Sequence, residues 1–210
     1  MTGGSGGDVI TTDSETISKA VNLGAGDDTY VLAAHSSGTT VTAALDGGDG
    51  TDTLSMSSAA AANLDASTVF ADDITGCEVL SLAALANSAN IVTNNLGLSK
   101  DIVVAGTASN GHATLSGLDA DANITITAGV GSGSITAVLK TATGTADSIN
   151  LKTNLDGSLT VGKVVVANVE TVNLDAVDKF VDVTGAKDEF GANIADGKDD
   201  TNSVQSIVLD

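Results

Sequence analysis

The chain has 210 residues, of which 42% are apolar but only 2% aromatic, and it contains 24 glycines but neither Trp nor Pro. Its formal net charge is −19, from 27 acidic residues against 8 basic ones, all of them lysines. This charge argues against nucleic acid and an anionic membrane surface as partners, because both attract clustered basic side chains.

Three similar clusters of glycine and aspartate occupy the first quarter of the chain. They are GGSGGDVIT (3–11), LGAGDDTYV (23–31) and GGDGTDTLS (47–55). In each cluster, glycines allow positive φ angles and turn successive carbonyl oxygens to one side, and an aspartate follows. Two positions after that aspartate comes a larger apolar residue, which is predicted to point inward and anchor a short strand. These apolar residues are Ile10, Tyr30 and Leu54.

The three clusters predict calcium binding. Several carbonyl oxygens and a few carboxylates are what Ca²⁺ accepts, in a flexible shell of about six to eight oxygens. A cation is also the natural counterpart of the net charge, although an acidic surface kept for solubility has the same composition. One turn supplies only half of such a shell, so a second turn must stack on it. Three stacked turns leave two gaps, and we therefore predict two calcium ions, one in each gap.

The first and third clusters match the repeat-in-toxin (RTX) nonapeptide GGxGxDxUx at every defined position, and the second has Leu23 in place of the first glycine. The chain therefore resembles the RTX family, most of all its bacterial surface-layer proteins, in which isolated repeats punctuate a long aliphatic solenoid. The resemblance implies an all-β fold, a right-handed parallel β-solenoid, with calcium held by the carboxylates of Asp8, Asp28 and Asp52. The carbonyl donors that it implies lie among Gly3, Gly4, Ser5 and Gly6, among Leu23, Gly24, Ala25 and Gly26, and among Gly47, Gly48, Asp49 and Gly50.

Beyond residue 55 the sequence changes to short runs rich in β-branched residues and bounded by Gly, Asn, Asp or Ser, which predict many short strands. A looser repeat, GCEVLSL (76–82), NVETVNL (168–174) and SVQSIVL (203–209), indicates stacked strands with one face inward. We therefore predict calcium-binding coils over 1–56 and an aliphatic solenoid that continues the same stack over 57–210. Two weak helix candidates, 55–67 and 81–89, could equally be solenoid loops.

We find no catalytic pattern in the sequence and expect a protein that is not an enzyme. His35 and His112 lie outside any catalytic motif, and Cys77, in an apolar strand-like run, is expected to be a buried small hydrophobe. The glycine stretch at 129–134 lacks the spacing of a phosphate-binding loop. Four further acids lie in degenerate turns, where solvated side chains and additional calcium sites are the two interpretations: Asp119, Asp121, Asp147 and Asp199.

The leading functional hypothesis is a structural, calcium-dependent surface-layer protein on the outside of a bacterial cell. The resemblance implies type I secretion of the unfolded chain, after which calcium would drive folding and self-association into a lattice. We expect a fragment of a larger protein, with cell-surface glycan as a further partner and without membrane insertion, since no apolar stretch could span a bilayer. Two alternatives stay open: an adhesin or ligand-binding module on the same scaffold, and the calcium-binding export module of a type I secreted enzyme.

Overall fold

The computed structural model describes residues 1–12, 19–32, 43–66, 70–107, 110–129, 133–141, 143–156, 160–179 and 203–209. Within these ranges, sixteen strands, one α-helix and two short 3₁₀ turns follow one another along the chain. The hydrogen-bonded strand pairs in the described ranges are parallel throughout. The fold is a parallel β-solenoid, so the predicted fold class is confirmed.

The strands form three sheets. The eight-stranded sheet contains β1 (Val9–Thr12), β3 (Thr29–Leu32), β5 (Thr53–Met56), β7 (Val79–Leu82), β9 (Asp101–Val104), β11 (Ala122–Ile126), β13 (Ser148–Asp156) and β15 (Thr171–Lys179). The three-stranded sheet contains β2 (Val21–Asn22), β4 (Leu45–Asp46) and β6 (Ile74–Thr75). The five-stranded sheet contains β8 (Asn90–Val92), β10 (His112–Leu118), β12 (Ser134–Leu139), β14 (Thr160–Ala167) and β16 (Ser203–Leu209).

Buried aliphatic side chains stack in columns along the solenoid, one from each coil. The eight-stranded sheet pairs Tyr30 with Leu54, Leu54 with Leu80, and Leu80 with Ile102, and all four are buried. Neighbouring strands lie about 4.8 Å apart, so each side chain rests on its equivalent in the next coil. Of the three residues predicted to point inward, Tyr30 and Leu54 are in this column, and Ile10 is half-buried against the core.

The first of the two helix candidates contains a helix. The helix α1 (Ser58–Leu64) begins after Ser57, whose Oγ accepts a hydrogen bond from Ala60 N at 3.1 Å. This capping bond satisfies one of the free N–H groups of the first turn. Ala60 and Leu64 are buried, so one face of the short helix packs against the core.

The second helix candidate, residues 81–89, is not helical. β7 continues to Leu82, and an isolated parallel bridge then pairs Leu85 with Thr107. The two 3₁₀ turns are Ala71–Asp73 and Thr93–Leu96. No helix in the described ranges has the length and apolar character needed to cross a membrane.

Candidate calcium site in the stacked turns

The three glycine-rich turns lie directly on one another at one edge of the solenoid. We call residues 3–8 turn one, residues 23–28 turn two and residues 47–52 turn three. Ala25 N donates to Gly4 O, and Asp49 N donates to Gly24 O, each at 3.0 Å. Consecutive turns are therefore joined by hydrogen bonds between their main chains and stack in register.

The close approach of the turns explains glycine at two positions. Gly24 and Gly48 have φ angles of +110° and +102°, a region that residues with a side chain avoid. A Cβ on Gly24 would lie 2.3 Å from Gly4 O, and one on Gly48 would lie 1.9 Å from Gly24 O. The carbonyl of one turn thus occupies the space that a side chain of the next would fill. Gly26 and Gly50 repeat this arrangement two residues further along each turn.

The predicted carboxylates form a hydrogen-bonded ladder along the same edge. Oδ1 of Asp28 accepts from the N–H of Asp8 at 2.7 Å, and Oδ1 of Asp52 accepts from the N–H of Asp28 at 2.8 Å. The ladder extends one step beyond the prediction, because Oε2 of Glu78 accepts from the N–H of Asp52 at 2.8 Å. Glu78 ends a fourth turn, residues 75–78, which we call turn four.

Asp28 and Asp52 are buried carboxylates, each with one oxygen that has no hydrogen bond. Their relative exposures are 1% and 0%, and no described residue donates to Oδ2 of either side chain. A buried carboxylate without a compensating partner is strongly unfavourable, so these two oxygens fit a bound cation. Asp8 differs, since it is half-buried and its Oδ2 accepts from Gly4 N at 2.8 Å.

Negative charge accumulates around turns three and four. Burial raises the pKa of Asp52; the hydrogen bond from Asp28 N–H opposes this shift, and the charges of Asp28, Glu78 and Asp27 add to it. Burial, aided by nearby carboxylates, also raises the pKa of Cys77 to about 12. Cys77 is half-buried against the core and lies between strands rather than within one. A divalent cation near Asp52 would relieve the repulsion between its carboxylate and those of Asp28 and Glu78.

The carbonyl oxygens implied as calcium donors differ in their surroundings. Those of Gly4, Gly24 and Asp49 accept hydrogen bonds from a neighbouring turn. The carbonyl oxygen of Leu23 instead shares a space with Oδ2 of Asp8. A Cβ placed on Gly3 would lie 1.8 Å from the oxygen of Leu23 and 3.0 Å from Oδ2 of Asp8, so both oxygens border the same position. The structure therefore brings Leu23 and Asp8 together across the gap between turns one and two. The other implied donors lie in the same turns: Gly3, Ser5, Gly6, Ala25, Gly26, Gly47, Gly48 and Gly50.

An ion at this edge would be held by two carboxylates and main-chain oxygens. In the part of the chain that the structure describes, no three His, Cys, Asp or Glu side chains come together in a group that could hold a metal ion. Each gap between turns instead has a carboxylate from the turn on either side. Calcium suits such a donor set, because it accepts several neutral oxygens together with a few charged ones. When bound, it would supply positive charge between the carboxylates.

Glu78 is the candidate residue that the sequence pattern missed. It belongs to GCEVLSL, which predicts a strand, but the structure places it one residue before β7, in the column of Asp8, Asp28 and Asp52. The spacing between successive acids along the chain could have identified Glu78. Glu78 follows Asp52 by 26 residues, close to the 24 residues that separate Asp52 from Asp28.

Two of the other acidic candidates accept a hydrogen bond from a serine hydroxyl. Oδ2 of Asp119 accepts from Ser99 Oγ at 2.8 Å, and Oδ1 of Asp121 accepts from Ser148 Oγ. Neither contact decides between a solvated turn and a calcium site, so both interpretations of Asp119 and Asp121 stay predictions. Asp199 lies outside the described residues.

Asp147 and His112 also have protein partners. Oδ2 of Asp147 accepts from Gly144 N at 3.2 Å, and Asp147 is only half-buried. His112 is exposed on β10, with its Nδ1 2.8 Å from Ser134 Oγ. His35 lies outside the described residues.

No family model matches the chain, and neither a curated protein nor a solved structure shows significant similarity to it. The fold itself defines the class, a parallel β-solenoid.

Proposed function

We propose that this chain is a structural protein of a bacterial cell surface, a surface-layer component whose first coils close when calcium binds between their turns. The observation that carries the proposal is the pair of buried, unpartnered oxygens, Oδ2 of Asp28 and Oδ2 of Asp52, in turns that stack in register. The net charge of −19 and the RTX-like turns support an exported protein that works where calcium is plentiful. Type I secretion is part of the same proposal.

Calcium would act as a folding ligand. The carboxylates of Asp8, Asp28 and Asp52 follow one another along the stacked turns. Without calcium, the repulsion between these carboxylates and the cost of removing them from water both oppose closure of the turns. An ion that binds only the closed turns adds its binding free energy to folding, about 1.4 kcal/mol per site at ten times the Kd. Sites in extracellular modules bind calcium at about 10⁻⁴ to 10⁻³ M, so export would itself trigger the closure.

Self-association into a lattice is the second part of the proposal. Within the described ranges, β1 and β15 are the edge strands of the eight-stranded sheet, and an edge strand can pair with a strand of another copy. Val9 on β1 is 71% exposed. Because turn one leads directly into β1, ordering this turn with calcium would also order the edge. Cell-surface glycan is a further proposed partner.

Calcium titration of the metal-stripped chain tests both parts, with circular dichroism and thermal unfolding to report folding and light scattering to report assembly. We expect the β-sheet signal and the thermal midpoint to rise at about 10⁻⁴ to 10⁻³ M calcium, with scattering rising alongside. Magnesium should act more weakly, because it demands a near-octahedral shell of oxygens. A fold that is the same in chelator and in calcium would contradict the calcium dependence. A calcium-dependent fold that never assembles would contradict the lattice.

The Asp28→Asn variant gives a sharper test, because the sign of its effect should change with calcium. In chelator we expect D28N to be more stable than the native chain, since it removes a buried charge. In calcium we expect it to be less stable and to bind the ion at least about tenfold more weakly, because the charge of the ligands sets the affinity.

Asp49→Asn is the matched control for D28N. It also removes one negative charge from the stacked turns, but the Asp49 side chain is exposed and its carbonyl is unchanged. D49N should therefore follow the native chain in both conditions. If D28N and D49N respond alike to calcium, the buried carboxylate of Asp28 is not a ligand.

A further inference from the structure

Turn four lacks the glycine–aspartate pattern, yet it closes onto turn three as turn two closes onto turn one. Gly47 N donates to Thr75 O at 2.9 Å, just as Gly3 N donates to Asn22 O at 2.8 Å. On the other side of the turn, Glu78 N donates to Asp52 O at 3.0 Å. Turn three is therefore joined to turn four by main-chain hydrogen bonds at both of its ends.

The same arrangement of oxygens occurs between turns three and four as between turns one and two. A Cβ on Gly47 would lie 2.0 Å from Gly76 O and 2.7 Å from Oδ2 of Asp52. A Cβ on Gly3 would lie at similar distances from Leu23 O and from Oδ2 of Asp8. In both gaps, a carbonyl oxygen of one turn and a carboxylate oxygen of its neighbour face the same space, which stays open because glycine has no side chain.

Oδ2 of Asp52 is the independent sign that this space takes a ligand. Asp52 is fully buried, and none of the described residues donates a hydrogen bond to its Oδ2. Its other oxygen already accepts from Asp28 N. The unpartnered oxygen lies beside Gly47 and Gly76 O, so it is directed toward turn four.

Glu78 supplies the second carboxylate. The carboxylate of Glu78 accepts a hydrogen bond from the main-chain N–H of Asp52, just as the carboxylate of Asp28 accepts one from the main-chain N–H of Asp8. In turn three the aspartate follows the first glycine by five residues, whereas Glu78 follows Gly76 by two. The main-chain register nevertheless places Glu78 opposite Asp52, because Val79 pairs with Thr53.

We propose that turns three and four bind a third calcium ion, held by Oδ2 of Asp52, the carbonyl of Gly76 and the carboxylate of Glu78. The inference rests on the proposed function, because it extends calcium binding to a turn outside the RTX-like repeats. Such an ion would join the calcium-binding coils to the aliphatic coils, since β7 begins one residue after Glu78. The calcium response would then extend past residue 56.

The experiment counts bound calcium ions on the metal-stripped full chain by equilibrium dialysis and by native mass spectrometry. The native chain is expected to bind three ions, and Glu78→Gln two. Glu170→Gln is the matched control, because Oε2 of Glu170 accepts from Asp147 N at 2.8 Å, as Oε2 of Glu78 does from Asp52 N. The three nearest atoms to a Cβ on Gly144 would all belong to the carboxylate of Asp147, whereas a Cβ on Gly47 would lie 2.0 Å from the carbonyl oxygen of Gly76 in the next turn. E170Q should therefore still bind three ions.

The ion counts separate the possible outcomes. Three ions in the native chain and in E170Q, with two in E78Q, support the third site. Two ions in all three proteins overturn the third site and leave the proposed function standing. No bound calcium in the native chain overturns both. Thermal unfolding of E78Q in chelator serves as a folding check. E78Q should be at least as stable as the native chain there, because glutamine still offers an oxygen to Asp52 N and the change removes a charge that repels Asp52.

Discussion

Asp52 carries a carboxylate where water does not reach it, with a relative exposure of 0%. Burial is the main cause of its raised pKa, so the folded chain holds the Asp52 proton more tightly than the unfolded chain does. The stability that this group contributes is fully present below the ordinary carboxylate pKa and is lost as pH rises through the raised value. Calcium bound at the proposed sites would reverse this sign, because the ion needs the charged form of the carboxylate.

We therefore expect the metal-stripped chain to become less stable as pH rises from about 4 toward about 7, and Asp52→Asn to reduce this loss. Thermal unfolding across that range measures both. Asp65 provides a comparison, since burial also raises its pKa but its Oδ2 accepts from Val92 N at 2.7 Å, away from the stacked turns. Calcium should reverse the pH dependence due to Asp52 and leave that due to Asp65 unchanged. A native chain whose stability does not fall with pH in chelator would refute the argument.

At the scale of elements, the turns depend on the spacing between their main chains. Replacing Gly48 by Ala should lower the free energy of unfolding by about 2 to 4 kcal/mol, because φ is +102° and a Cβ would lie 1.9 Å from Gly24 O. Gly6→Ala is the matched control within the repeats, since a Cβ there would meet nothing within 4 Å. Its effect should stay within about 0.5 kcal/mol. Denaturant unfolding in saturating calcium measures both, and equal losses would show that close stacking does not select the glycines.

The turns and the strands differed in how well the sequence predicted them. The glycines and aspartates repeat at a spacing close to one coil, so the sequence predicted both the turns and the inward position of Tyr30 and Leu54. Turn four escaped prediction because its glycine and acid lie three residues closer together than in turn three. The three-stranded sheet escaped as well, since its strands have two residues each, too few to show an alternating pattern.

Helix and strand were also hard to separate where alanine and leucine are mixed. Residues 81–89 have the composition of a helix, but the pairing of β7 with β5 and β9 takes its first residues into the sheet. In α1, the capping bond from Ser57 and the burial of Ala60 and Leu64 favour the helix instead. The strand pairing of β7 depends on contacts with neighbouring coils, which the local sequence does not encode. The capping bond of α1, in contrast, is local to the sequence.

The whole molecule is a stack in which each coil contacts mainly its neighbours. Along the eight-stranded sheet, the described strands pair in simple succession from β1 to β15. Stability in such a stack is approximately a sum of the terms for each coil and for the interfaces between adjacent coils. The first coils bury carboxylates such as Asp28 and Asp52, whereas the equivalent positions in later coils include Ala122 and Ile149. Calcium dependence should therefore be local.

Hydrogen exchange followed by mass spectrometry, with and without calcium, measures this directly. We expect calcium to slow exchange strongly in turns one to three and in β1, β3 and β5, because closure of these coils requires neutralised carboxylates. Protection in β9, β11 and β13 should change little, since aliphatic columns such as Ile102, Ile124 and Leu151 hold these coils together in either condition. If a third ion binds at Glu78, calcium-dependent protection should extend through β7. If no ion binds there, calcium-dependent protection should end after β5. Equal loss of protection along the whole stack in chelator would mean that the coils unfold as one unit, and the local calcium mechanism would be wrong.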